Sequence, residues 1–412
     1  MVHPHWPARR PSPLNSGQLN EVESAEEPED ELHSFGVGGG LRVVGDRVFS
    51  STVRSIASVL ANRCINGLRN EENVMPLNIV HSAIAGLAIV GLPCAAFSQV
   101  PSVPGPVSFH YDDLDRFDAV LNSIGNGGDP AEVFLEYMEH GSAGFRGWMG
   151  RYDVSADEFG SLYREYGSAF HAMHGIAGPL REEEEAIRAS IENLRDLAQS
   201  DIAIPVYYFV SSQYRFAGTP VQLEGDPAGV GVGAAIGVSE RFEEGAGVVE
   251  TDGIVDALGY LAVHEASHIL QLHAQGGLQN YRSIYAPGGG TMLSIALREG
   301  CAEYLTYLAS GERYGDRHLY VAEHEAELWS DFLAIADEPA FSVVGWFGGA
   351  DPDHPDRPFQ IGYAVGSEMC RAYHEEMDDP DTNADALFAL FNGSHAEAAA
   401  DAYSRAIDAR SE

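Results

Sequence analysis

Leu261-Ala262-Val263-His264-Glu265-Ala266-Ser267-His268-Ile269-Leu270 is the stretch from which the rest of this chain can be read. On a helix, two histidines four residues apart lie about 40° apart around the axis. Their Cβ atoms are then roughly 5–6 Å apart, so both imidazoles can face one point. That arrangement suits two ligands of one tetrahedral Zn2+. Glu265 directly follows the first histidine, beside such a metal, where it can take a proton from an activated water. The pattern His-Glu-x-x-His therefore points to metal-assisted hydrolysis. The competing account is a pair of half-buried helix histidines satisfied by hydrogen bonds alone.

The surroundings favour a helix. Ile254, Val255, Leu258, Leu261, Ala262, Ile269, Leu270 and Leu272 recur at helical spacing, and Gly276-Gly277 forms a plausible stop. A helix this apolar is buried, and two histidines with an acid on it need partners. The chain supplies its own controls. His324-Glu325 and His374-Glu375 repeat the dipeptide, but Leu328 and Asp378 stand four residues after those histidines. Both read as solvated helix faces.

Zinc needs a third protein ligand. His273 is nearest, but it lies about 180° around the helix from His264. A metzincin would carry Gly at 271 and His at 274, where this chain has Gln271 and Ala274, so that class is excluded. The remaining candidates stand in the next helical run, Thr291 through Leu305, which follows the Pro287-Gly288-Gly289-Gly290 breaker and closes near Gly311. Glu299 and Glu303 share a face of that helix. One carboxylate can reach the metal while the other supports a ligand imidazole, fixing its tautomer and orientation. We expect Glu299 on the metal and Glu303 behind a ligand histidine; the alternative is a pair of exposed helix acids.

His264-Glu265-Ala266-Ser267-His268, followed by Arg298-Glu299-Gly300-Cys301-Ala302-Glu303-Tyr304, resembles the gluzincin metallopeptidases. More narrowly, the chain looks like a bacterial family of predicted zinc-dependent proteases related to gliding-motility lipoproteins. Three further segments carry that likeness in order: Tyr137–Phe145, Val206–Val210 and Ile361–Gly366. The resemblance spans roughly residues 108–405. It implies Glu299, in its Glu-Gly pair, as the third zinc ligand. It also implies a Tyr or His well downstream that stabilises an oxyanion. Tyr363, flanked by Gly362 and Gly366, is the candidate, although it could equally be a core aromatic at a helix start; His354 is its rival. The implied fold is α+β and mainly helical, with a zincin-like core, a small mixed β-sheet and an N-terminal helical subdomain. Residues 108–200 would form that subdomain and 201–412 the catalytic domain. The β-rich segment Ile202–Ser212 precedes the zinc helix, as in a zincin sheet whose edge strand aligns the substrate backbone. Gly229–Gly237 lacks a dinucleotide-binding register, because Ile236 occupies the third glycine position, and reads as a flexible strand or loop near the cleft.

Composition narrows the partners. The chain holds 62 acids against 24 bases, all of them Arg, and residues 99–412 hold 52 acids against 17 Arg. Such a surface repels nucleic acid and anionic lipid, and neither is expected as a partner. The expected partner is a peptide or protein substrate.

Residues 1–45 are rich in Pro, Ser, Gly and acids and read as disordered. Residues 1–74 are expected to be disordered or an extension upstream of a start at Met75. Leu77 through Phe97 is the one long apolar stretch, and Ala96-Phe97-Ser98-Gln99 offers a small-x-small cleavage site. Residues 75–98 thus read as a signal peptide, or as a signal anchor with Arg54, Arg63 and Arg69 on the cytoplasmic side. Either exports the catalytic region to the periplasm or beyond, with a membrane contact only through that anchor. Cleavage after Ser98 would leave Cys301 and Cys370. Two buried free thiols are the preferred reading of that pair, and a disulfide joining their helices is the other. The expected activity is hydrolysis of peptide bonds by Glu-assisted attack of zinc-activated water. A non-catalytic envelope component retaining a structural zinc, and a zinc hydrolase of another amide or ester, are the alternatives.

Overall fold

Ile204-Pro-Val-Tyr-Tyr-Phe-Val210 has no polar alternation, and all seven residues are buried in strand β2 (Ile204–Val210). A strand of that kind belongs in the middle of a sheet covered on both faces. In the computed structural model it occupies that place. The structure describes residues 104–212, 216–223, 232–238, 251–283, 289–313, 315–348, 351, 354–377, 384–391 and 394–411. The expected leader at 75–98, and everything before it, lies outside the described residues.

β2 pairs in parallel with β1 (Val107–His110), Val107 opposite Ile204 and His110 opposite Tyr207. On its other side it pairs in parallel with β4 (Val232–Val238). β3 (Phe216–Gln222) runs antiparallel to β4, giving the order β1-β2-β4-β3. The described part of the glycine-rich segment is thus an interior strand. The described chain is mainly helical with this one small mixed sheet.

Parallel neighbours require a crossover, and six helices supply it between β1 and β2. They are α1 (Asp112–Gly125), α2 (Pro130–Glu139), α3 (Ala143–Tyr152), α4 (Ala156–Ala172), α5 (Ala177–Glu182) and α6 (Glu184–Leu197). Local chemistry sets several boundaries. Asp129 caps α2 by accepting from Ala131 N and Glu132 N, with Pro130 in the first turn. Ser142 caps α3 and Ser155 caps α4 through the nitrogens of Phe145 and Glu158. α6 buries Ile187, Ile191 and Leu194 as one stripe. Gly144 on α3 lies so close to the Tyr207 ring of β2 that a Cβ there would overlap it.

After the sheet comes α7 (Thr251–Ala274), carrying His264, Glu265 and His268. Every residue from Ala262 to Leu272 is buried, on all sides of the helix rather than along a single stripe. That pattern marks a helix enclosed by the protein. The short α8 (Leu278–Ser283) leads toward α9 (Met292–Ser310), which carries Glu299 and Glu303. α9 opens with a capping box in which Thr291 and Ser294 satisfy each other's backbone nitrogens, and it closes on Gly311 in the left-handed conformation. Every residue from Met292 to Thr306 is buried. α10 (Arg317–Glu323), α11 (Glu325–Leu333), α12 (Ile361–Glu375), a 3-10 turn (Ala384–Ala389) and α13 (Ser394–Ser411) complete the described elements. None of the described helices is long and apolar enough to cross a membrane.

The α9–α12 crossing is unusually close. A Cβ on Gly300 would overlap the backbone of Gly366 and Ser367, and one on Gly366 would overlap the carbonyl of Ala296. Only glycine permits such backbone-to-backbone approach. One residue on, Cys301 of α9 is bonded to Cys370 of α12, with their Cα atoms 5.4 Å apart. This corrects the expectation of free thiols: the glycine contact brings the two helices within disulfide reach. A second correction concerns His374, which is buried rather than solvated, with its Nδ1 3.0 Å from the Tyr304 hydroxyl. His324 remains half-exposed, stacked on Tyr320.

The bond closes a loop with a sequence separation of 69 residues. Replacing both cysteines by Ala should cost about 2–4 kcal/mol of stability. Thermal unfolding of the double variant against wild type measures it, and an unchanged midpoint would contradict the bond's structural role.

Candidate metal centre

The residues expected to converge do so. His264 Nε2 and His268 Nε2 are 3.1 Å apart, and His268 Nε2 lies 3.1 Å from Glu299 Oε2. His264 Nε2 is 3.7 Å from the same oxygen. All three residues are buried, and among the described residues they form the one group of three or more His, Cys, Asp or Glu able to hold a metal ion. Ligand atoms at about 2.0–2.2 Å from a tetrahedral Zn2+ stand roughly 3.3–3.6 Å from one another. The observed triangle is close to that size.

Hydrogen-bond logic gives a second test of fit. Gln271 Nε2 donates to the Arg298 carbonyl at 2.9 Å, which turns its Oε1 toward His268 Nδ1 at 2.7 Å. His268 Nδ1 must therefore carry the proton, and in the neutral ring Nε2 presents a bare lone pair. That lone pair faces the carboxylate oxygen of Glu299 and the second imidazole nitrogen. No partner on His264 Nδ1 fixes that ring's tautomer; with its proton on Nδ1, three lone pairs would converge in a buried space, which needs a proton or a metal among them. Zn2+ fits the donor set: two imidazoles and one carboxylate.

The electrostatics are consistent with this. Burial lowers the His264 pKa to about 4, so its ring is neutral. Burial disfavours ionisation of Glu299, yet the Arg298 guanidinium and His268 outweigh it and hold the carboxyl well below its usual range. Arg298 Nη2 and Nε donate to Glu299 Oε1 at 2.5 and 3.1 Å, leaving Oε2 for the centre. Arg298 itself sits 4.6 Å over the Tyr281 ring. At His268, burial acts downward, but Glu299 raises the pKa overall. Burial pushes Glu265 up to about 7.

Glu265 follows its ligand neighbour onto the β3 side of α7. A Cβ on Gly218 would overlap the Glu265 side chain, so β3 approaches the helix through a glycine. Glu265 Oε2 and His264 Nδ1 are both buried without a hydrogen-bond partner. Tyr363, in the first turn of α12, lies against the centre with its ring 6.4 Å from that of His264 and nearly parallel to it. Burial, with Glu299 nearby, keeps its phenol protonated. His354 stands apart, 47% exposed at its side chain and 3.3 Å from Asp351. His273, half-buried in the last turn of α7, is not in the cluster.

Glu303 differs from expectation. Its carboxylate is ion-paired with Arg317, and its other oxygen is 3.2 Å from His318 Nε2. One helical turn beyond Glu299 carries it past the ligand imidazoles to the start of α10. The group behind a ligand histidine is instead Gln271. Sequence reasoning used Gln271 only to exclude a metzincin, although its position three residues after His268 places it on the same face. Arg298 was also missed; its adjacency to Glu299 was the available signal.

Removing the Gln271 support should weaken metal binding. Gln271→Leu is expected to raise the Zn2+ dissociation constant about 10–100-fold. Metal uptake should also release protons, because the metal-free His268 has a raised pKa and must deprotonate to bind. Affinity therefore falls as pH drops through that pKa. Calorimetric titrations at several pH values check both the slope and the proton count.

Comparison with protein-family models, curated proteins and solved structures finds no match for this chain.

Proposed function

We propose that the chain is an exported zinc-dependent peptidase of gluzincin type, with His264, His268 and Glu299 holding the metal. The observation that carries this reading is the convergence of His264 Nε2, His268 Nε2 and Glu299 Oε2 beside an unpartnered Glu265 carboxylate. The donor set supports a catalytic rather than a purely structural metal. Structural zinc sites take four protein ligands, whereas catalytic ones keep a position open, and here three ligand atoms come together among the described residues. A zinc ion held there would act as a Lewis acid and lower the pKa of a water toward about 7.

The chain's own residues supply the remaining chemistry. Glu265, with a pKa near 7, is matched to general-base work at neutral pH: it accepts a proton from the attacking water and returns it to the leaving amine. Tyr363, protonated and beside His264, donates a hydrogen bond to the oxyanion that develops on the scissile carbonyl. β3 is bonded to β4 and lies at the end of the sheet order, with Gly218 against Glu265. An extended peptide added along such a strand would have its backbone aligned by main-chain hydrogen bonds. This edge, rather than the interior β2, is the candidate substrate strand. Export is supported by the Cys301–Cys370 bond, since disulfides persist mainly in oxidising compartments.

Glu265→Gln should retain one zinc per chain and lose several orders of magnitude in turnover of a peptide library, with chelation and re-addition of zinc as the control. Undiminished cleavage by that variant would sink the mechanism. Gly218→Ala leaves all three ligands in place but pushes into Glu265, so kcat should fall at least about tenfold with metal content unchanged.

A further inference from the structure

Glu303 and Arg317 form a buried ion pair whose purpose is not metal ligation. The Arg317 side chain is 10% exposed and that of Glu303 is 1% exposed. Taking both charges from water costs several kcal/mol per ion, so a buried pair is weak evidence for stability. The neighbouring His318 is held neutral, its pKa lowered by burial to about 4, so Arg317 is the cation that balances Glu303. The guanidinium has a second contact. Its Cζ lies 5.4 Å over the Tyr363 ring, and that ring lies beside His264. Around the same ring, Phe347 packs at 6.1 Å, in a space left by Gly362. Thus Glu303 on α9 fixes Arg317 on α10, and Arg317 covers Tyr363 on α12.

Resting on the metal-centre reading above, we propose that Glu303 and Arg317 act as a positioning pair for Tyr363. The carboxylate orients the planar guanidinium, which a flexible ammonium would not match. The oriented cation attracts the face of the phenol ring and holds it in one pose. That pose keeps the hydroxyl available as a donor to an anionic oxygen of a ligand bound at the centre. Arg317 touches no reacting atom in this account; it acts through Tyr363.

The test uses the full chain loaded with Co2+ and titrated with acetohydroxamate, followed through the visible absorption of the cobalt. No substrate or turnover is needed. Tyr363→Phe and Arg317→Met should each weaken acetohydroxamate about 10–100-fold, the range for a hydrogen bond to a charged group. The double variant should be no weaker than either single one, because both changes remove the same interaction. Arg317→Lys should recover part of the loss, and Glu303→Gln should repeat it with Co2+ stoichiometry unchanged. If Arg317→Met fails to fold, as judged by its melting curve, Arg317→Lys and Glu303→Gln carry the test. Wild-type affinity in the folded Arg317 and Glu303 variants would overturn the pair's role. So would losses that multiply in the double variant, or wild-type affinity in Tyr363→Phe. A wild-type chain that takes up no Co2+ would overturn the metal centre itself, and with it this proposal.

Discussion

The contact on which the rest depends is the crossing of α9 and α12 at Gly300 and Gly366. Side chains normally keep packed helices about 8–10 Å apart. Here the two backbones touch, and the Cys301–Cys370 bond holds them one residue away. The consequence is positional. Glu299, immediately before Gly300, and Tyr363, three residues before Gly366, belong to one rigid unit. That unit presents a carboxylate and a phenol together to the histidines of α7. The protein therefore arranges its site by backbone proximity between two helices, with side-chain chemistry added at their edges.

Around that unit the charges form a closed circuit. Gln271 binds His268 and the carbonyl of Arg298, Arg298 binds Glu299, and Glu299 faces His268. Gln271 to the Arg298 carbonyl and His268 to Glu299 tie α7 to α9, and the contacts within each helix complete the circuit, which avoids the cost of an isolated buried charge. His264 Nδ1 and Glu265 Oε2 lie outside the circuit. A buried carboxylate oxygen left without a donor is costly, so Glu265 Oε2 marks the side of the cluster where a further donor would be accommodated. Arg317 and Glu303 extend the same logic toward Tyr363.

Much of this was legible in the sequence. The helix bearing His264 and His268 followed from apolar spacing, and the strand Ile204–Val210 from its continuous hydrophobic run. Glu299 and Glu303 could be singled out because they share a face of the next helical run, which follows a glycine breaker. The roles of Glu303 and Gln271 were not legible. Both share a face with a site residue, and periodicity cannot distinguish a neighbour one turn too far from one at the right height. The pairing of Cys301 with Cys370 was open for a related reason: two cysteines 69 residues apart reveal nothing about distance until the helices carrying them are packed.

By itself, the sequence determined the chemistry available: two imidazoles and an acid on one helical face, with a carboxylate on the next. Those depend on spacing along a helix, a local property. The tertiary structure decided which atoms meet. It joined α9 to α12, turned Arg298 onto Glu299, set Gln271 behind His268, and moved Glu303 out of the centre to Arg317. Those outcomes depend on how closely separate helices approach, and glycine contacts between residues far apart in the chain set that distance.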